Sequence, residues 1–178
     1  MLKKILLGLA AVIAIFVIVV ALQPTDFHVE RSTSIAASPA VVFTQVNDLH
    51  KWEAWNPWGK IDPAMKLTYE GPQAGVGAAY AWVGNSQVGE GRATITESRP
   101  NDHVQLRLDF YKPMAGTSTI DFTFNPEGNA TAVKWSMGGK NNFIGKAMCL
   151  FVSMDKMIGG QFEKGLSDLK SAAEAAAR

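Results

Sequence analysis

Apolar and polar positions change period along the chain, and each change marks an element. The first stretch is an unbroken apolar run, Ile5 to Leu22, 18 residues without a charge. A helix of that length spans about 27 Å, close to the ~30 Å hydrocarbon core of a bilayer. Its many β-branched residues weaken a helix in water. In lipid every backbone group must pair within the segment, so helix is the available state. Phe27 to Ile35 then alternates, with Phe27, Val29 and Arg31 against His28, Glu30 and Ser32, which predicts a strand. Ser38-Pro39 combines a hydroxyl N-cap with proline at the first helical position and predicts a short helix through Val46, with Val42, Phe43 and Val46 on one face. Asn47 to Gly59 reads as a second short helix or turn containing Trp52, Trp55 and Trp58.

Beyond Pro63 the period drops to two. Strands are expected at residues 65–69, 76–83, 87–97, 103–111, 118–124 and 130–137. Turn signals separate them: Gly71-Pro72, Gly84-Asn85, Pro100-Asn101, Pro113 to Gly116, and Asn125 to Gly128. Alternation is clearest at Val104, Leu106, Leu108 and Phe110, with Gln105, Arg107 and Asp109 between them. Six consecutive strands joined by short turns imply an antiparallel meander with one buried face. The pattern returns to helical spacing from Asn142 to Ala176, with Ile144, Met148, Phe151, Ile158, Phe162, Leu166 and Leu169 in step. Gly159-Gly160 is expected to interrupt this helix, either for close packing against the sheet or as a kink beside a cavity.

The domain plan follows: an anchor over residues 1–23 and one soluble domain over 24–178. Lys3 and Lys4 stand before the apolar run, and the first charges after it are Asp26, Glu30 and Arg31. That bias places the amino terminus inside the cell and the domain outside it, as a single-pass protein of a bacterial cytoplasmic membrane. A cleaved signal sequence is the rival reading, but its apolar core is usually 7–15 residues and ends at a small-x-small site. Val19-Val20-Ala21 is a poor version of that site. The linker Gln23 to Asp26 reaches at most ~14 Å when extended, so the domain must sit at the bilayer surface.

Composition narrows the function. Apolar residues at 47% and charged residues at 19% exclude a disordered chain. Without Lys3 and Lys4 the soluble part carries 15 basic and 16 acidic residues, too even for a nucleic-acid footprint. Cys149 is the one cysteine, and His28, His50 and His103 are far apart in sequence, so no metal site is expected. The chain has no Gly-x-Ser-x-Gly elbow, no His-Glu-x-x-His and no Gly-rich phosphate loop, and no cofactor is expected. Asn129-Ala-Thr131 fits a glycosylation sequon but lies in a predicted hairpin turn.

The order strand, two short helices, six strands, long helix is informative in itself. With Ser38-Pro-Ala-Val-Val-Phe43 and Asn47-Asp-Leu-His-Lys-Trp52-Glu-Ala-Trp55-Asn-Pro-Trp58, the chain resembles the SRPBCC superfamily, the START-like and polyketide cyclase/dehydrase-like helix-grip group. Met154 to Met157 and Phe162 to Lys170 are similar to that group's last helix. The resemblance covers about Asp26 to Ala173. It implies an α+β helix-grip fold: an antiparallel sheet of about seven strands wrapped around the C-terminal helix, with an apolar cavity between them. Relatives use that cavity for lipids, sterols, polyketides or hormones, and a minority catalyse reactions there.

The expected partner is therefore a small hydrophobic ligand, with the membrane engaged through residues 5–22. Cavity candidates on the strands are Tyr80 and Trp82 (or Ala79 and Ala81 in the alternative register), Leu106, Leu108, Phe110, Ile120, Phe122, Val133 and Trp135. The helix adds Met148, Phe151, Met154, Met157 and Ile158, whose methionines suit adaptable apolar contact. The tryptophans, Trp55 and Trp58 among them, either plug one end of the sheet, rim the mouth or sit at lipid headgroups. Asp155 lies on the apolar stripe between Phe151 and Ile158 and is a candidate acid or ligand anchor, unless it is exposed or salt-bridged; Glu90 and Arg92 share one strand face. No catalytic residue is assigned. Three functions stand open: a ligand-binding module, a polyketide cyclase/dehydrase-type enzyme, and a protein-interaction module with a closed cavity.

Overall fold

The computed structural model describes all 178 residues. An N-terminal helix, α1 (Leu2–Ala21), leads into strand β1 (Asp26–Ile35) and helix α2 (Pro39–Asn47). A 3-10 turn segment (Leu49–Ala54) and helix α3 (Pro57–Ile61) follow. Six strands come next: β2 (Lys66–Glu70), β3 (Ala79–Val83), β4 (Glu90–Arg99), β5 (His103–Lys112), β6 (Gly116–Glu127) and β7 (Ala130–Lys140). Helices α4 (Phe143–Cys149) and α5 (Met154–Ala176) close the chain.

The seven strands form one antiparallel sheet in the order β1-β7-β6-β5-β4-β3-β2. Consecutive strands from β2 to β7 are neighbours, as short turns dictate, and β1 joins at the far edge by pairing Asp26–Ile35 with Lys140–Thr131. One face alternates inward: Val104, Leu106 and Leu108 of β5 are buried, as are Ile120, Phe122 and Phe124 of β6 and Val133, Trp135 and Met137 of β7. The register places Tyr80 and Trp82 on that inner face.

Helix α5 covers it. Gly159, Phe162, Gly165, Leu166, Leu169 and Ala173 are its buried stripe. The Phe162 ring stacks on the Trp135 indole, with centroids 4.1 Å apart and planes at 13°. Gly165 is what admits the helix at this distance, because a Cβ there would lie 2.7 Å from Trp135 Cζ3. Trp52 and Trp55 complete the plug. The 3-10 turn has three residues per turn, which brings these two rings together at 4.6 Å. Their indole N–H groups donate to the Val46 and Gln45 carbonyls.

The C-terminal region differs from the single interrupted helix that periodicity suggests. The chain breaks at residues 150–153, where Ser153 caps α5 by accepting from Lys156 N–H. Through Gly159-Gly160, α5 runs without interruption. Gly159 serves close packing: a Cβ there would collide with the Arg31 guanidinium. Arg31 reaches from β1 across the helix to Asp155 (2.7 and 3.1 Å) and Glu163 (2.7 Å). These acids and Gly159 are four residues apart and share one helix face. Gly160 faces open space. Ser38 occupies the N-cap of α2, but its side chain makes no capping bond. The Thr131 hydroxyl of the sequon is buried and donates to the Ala37 carbonyl at 2.7 Å.

Two measurements follow from α5. Trp135 is enclosed by Trp55, Phe122 and Phe162 and cannot yield, so Gly165→Ala overpacks and costs about 1–3 kcal/mol. Gly160→Ala adds only helix propensity and stabilises by about 0.5–1 kcal/mol; urea unfolding should show the two opposite signs. A second test concerns pH. Arg31 holds the Asp155 carboxyl below its ordinary range by hydrogen bonding, and the Ala36 N–H followed by Lys170 does the same for Glu174. Depressed folded values stabilise above the unfolded values, about 3.9 for Asp and 4.3 for Glu, and that contribution is lost as pH falls through the folded ones. The urea midpoint should therefore fall on acidification below about pH 4, and Asp155→Asn should lower it at neutral pH while flattening its acid slope.

Candidate functional site: a cavity between sheet and helix

The Trp135–Phe162 stack fills one end of the space between α5 and the sheet. Towards the other end the helix presents Met154, Met157 and Ile158. A cavity of about 400 Å³ opens there, lined by 28 residues of which 17 are hydrophobic. That size and character suit a small apolar molecule.

Its walls come from distinct elements. Tyr80 and Trp82 stand on β3, Leu108 and Phe110 on β5, Ile120 on β6 and Met137 on β7, with Trp52 and Trp58 at the inner end. Phe27, the second residue of β1, and Met148 of α4 form the opposite wall. Gly91 makes room for Trp82: on the paired strand its missing side chain leaves a slot in which the indole lies, and a Cβ would sit 2.5 Å from the ring. Gly139 does the same for Phe27, where a Cβ would be 2.8 Å from the ring. Both glycines sit in strands, where a missing side chain marks close approach.

Polar groups divide by depth. Asn56 is buried, and its side chain caps α3 by accepting from Trp58 N–H. Ser118 is buried as well. Burial, followed by the neighbouring Tyr69, raises the Tyr80 phenol well above its ordinary range, with Asn56 opposing, so Tyr80 is a neutral hydroxyl at physiological pH. The exposed polar residues Lys112, Thr117, Lys140 and Asn142 gather with Asn141 where the cavity meets solvent. Lys112 is paired with Glu90 at 2.8 Å.

Of the residues selected from sequence, Trp58, Tyr80, Trp82, Leu108, Phe110, Ile120, Met148, Met154, Met157 and Ile158 line this cavity. Trp55, Leu106, Phe122, Val133 and Trp135 do not; they are fully buried in the solid core, because the stack on Phe162 leaves no space around them. Phe151 is 81% exposed in the turn between α4 and α5 and points away from the cavity. Asp155 also lies outside it, on the surface in its Arg31 ion pair. Glu90 and Arg92 go to separate partners, Lys112 and Glu70. Phe27, Asn56 and Lys140 line it too without having been selected: Phe27 alternates in β1 but reaches the cavity from the sheet's far edge, and Asn56 and Lys140 sit in a loop and at a strand end, where alternation carries no signal.

A profile described as "Polyketide cyclase / dehydrase and lipid transport" matches residues 26–174. The chain belongs to this family. Solved structures carry the same fold at low identity. Protein CV1439 from Chromobacterium violaceum aligns at TM-score 0.62 and 13% identity over 83% of this chain and 96% of its own. The Aha1 dimer from Colwellia psychrerythraea aligns at 0.60 and 18% over 83% and 96%. DynU16, described as a putative protein in the dynemicin biosynthetic locus, aligns at 0.59 and 14% over 84% and 48%. No curated protein matches. Membership carries the helix-grip architecture and makes the space beside α5 the candidate site; side chains, not fold, must define what enters it.

Trp82 offers a direct check of the cavity wall. Gly91→Ala should force the indole out of its slot, shifting the tryptophan emission and lowering stability by about 1–3 kcal/mol. Unchanged emission and stability would mean that Trp82 does not lie over Gly91.

Proposed function

We propose that the protein is a membrane-anchored binding module for a small hydrophobic ligand held between the sheet and α5. The observation that carries this is the cavity itself: 17 apolar lining residues surround a volume that side chains leave unfilled. Its polar residues are amides, hydroxyls and lysines, groups that orient a bound molecule. The one carboxylate considered for catalysis, Asp155, belongs to a surface ion pair instead. These features favour binding over turnover. The family description includes lipid transport, which fits an apolar ligand.

The shape of the polarity favours an amphiphile. Buried Trp52, Tyr80, Leu108 and Ile120 would enclose its apolar body, and Lys140, Asn141 and Asn142 would face its polar end. Helix α1 supplies the anchor in this reading. It has 20 residues with a mean hydropathy of 2.9, long and apolar enough to cross a membrane, a test that a signal sequence also passes. The domain then lies on the non-cytoplasmic side, by the Lys3-Lys4 bias.

Native mass spectrometry of residues 24–178 tests the binding claim, since all seven strands and the core cluster lie within them. The expected result is a co-purifying lipid-sized adduct, released on denaturation. Leu108→Trp, which fills the cavity from its wall, should abolish the adduct while leaving the far-UV circular dichroism unchanged. A wild-type domain that is empty and takes up no fatty acid or phospholipid would refute the proposal. Intact mass of the membrane-extracted protein decides between retained anchor and cleaved signal.

A further inference from the structure

Helix α4 buries none of its residues, although it is largely apolar. Phe143 and Ile144 are at least half exposed, and Met148, Phe151 and Val152 are also exposed. Five exposed large apolar side chains within ten consecutive residues exceed the isolated exposures of ordinary surfaces and mark an interaction site.

Three observations identify what covers it. First, α4 begins where α1 ends: Asn141 N–H donates to the Thr25 carbonyl at 2.7 Å, and the Lys146 ammonium reaches the Ala21 carbonyl at 3.4 Å. Leu22, at the same level, is also exposed. Second, charge is one-sided. Between Glu127 and Asp155 the sequence has no acidic residue, while Lys140 precedes the apolar stretch and Lys146 lies within it. Lysines beside an apolar helix suit an anionic headgroup layer. Third, the segment has two faces. Asn141, Asn142, Gly145 and Met148 line the cavity while Phe143, Ile144, Phe151 and Val152 turn outward.

We propose that α4 and the turn after it dock into the leaflet from which α1 emerges, forming a lipid-facing gate to the cavity. Phe143, Ile144, Phe151 and Val152 enter the interface, Lys140 and Lys146 meet anionic headgroups, and the mouth beside Met148 opens onto acyl chains. The ligand is then an acyl amphiphile of that leaflet, entering without crossing water. This rests on the reading of α1 as a retained anchor, and the test separates the two.

The full-length chain carrying Cys149→Ser and one new cysteine at Ile13, Phe151 or Asn129 is labelled with NBD in phosphatidylcholine/phosphatidylglycerol vesicles. Doxyl-labelled acyl chains serve as the quencher. Asn129 lies in the β6–β7 turn, at the opposite end of that hairpin from α4, and reports water. Quenching at both Ile13 and Phe151, severalfold above Asn129, is the expected result. Quenching at Ile13 with Phe151 matching Asn129 overturns the gate and leaves the anchor standing. Failure at Ile13 as well overturns both. A blue-shifted Phe151 probe that doxyl lipid does not quench assigns the patch to a second copy of the chain and also overturns the gate. In unlabelled protein, Phe151→Glu should slow energy transfer from tryptophan to a dansyl fatty acid supplied in the vesicles severalfold, with the final extent unchanged. An unchanged rate refutes the gating role.

Discussion

The stack of Phe162 on Trp135 is the contact on which the rest of the arrangement depends. It sets the height of α5 above the sheet, and Gly165 makes that height attainable. Around it Trp55 and Phe122 meet edge to face, and both are fully buried. From the side, Arg31 ties β1 to Asp155 near the helix start and to Glu163 beside Phe162. The helix is thus held at its middle and its flank. Its first residues hang over the sheet without filling the space below, and that is where the cavity is.

Much of this was legible from the sequence, and the failures have one cause. Alternation in β5 and β6 revealed which face is buried, since a strand's period fixes the side on which each residue lies. The Ser38 to Trp58 segment and the final helix pointed to the family, and the profile match over 26–174 agrees. Periodicity cannot tell a solid core from a lined cavity. Leu106 and Leu108 have the same spacing and chemistry, yet one faces packed aromatics and the other an open wall. Which side a residue falls on depends on where Phe162 lands, a contact between residues 27 positions apart in sequence. Asp155 shows the same limit: it sits in step with apolar neighbours, but Arg31, 124 residues earlier, draws it to the surface.

The glycines carry information that hydropathy patterns discard. Gly91 and Gly139 each leave a slot in the sheet for an aromatic ring, Trp82 and Phe27, and both rings become cavity wall. Gly159 makes room for a guanidinium and Gly165 for an indole. In each case the absent side chain is half of a contact. Gly160, beside Gly159 in the sequence, faces open space, and α5 continues through both.

The pairing of β1 with β7 also sets an order of events during synthesis. Asp26 needs Lys140, more than a hundred residues later, to complete its ladder. At ~5–20 residues per second, that partner appears several seconds or more after β1 has left the ribosome. α1 has by then been made, and the strand behind it is a bare edge. Glu30 and Arg31 sit along that edge, and charged side chains of this kind discourage premature pairing with other chains. The sheet closes only when the chain is nearly finished, so non-local pairing rather than any single helix should limit how fast the cavity comes into being.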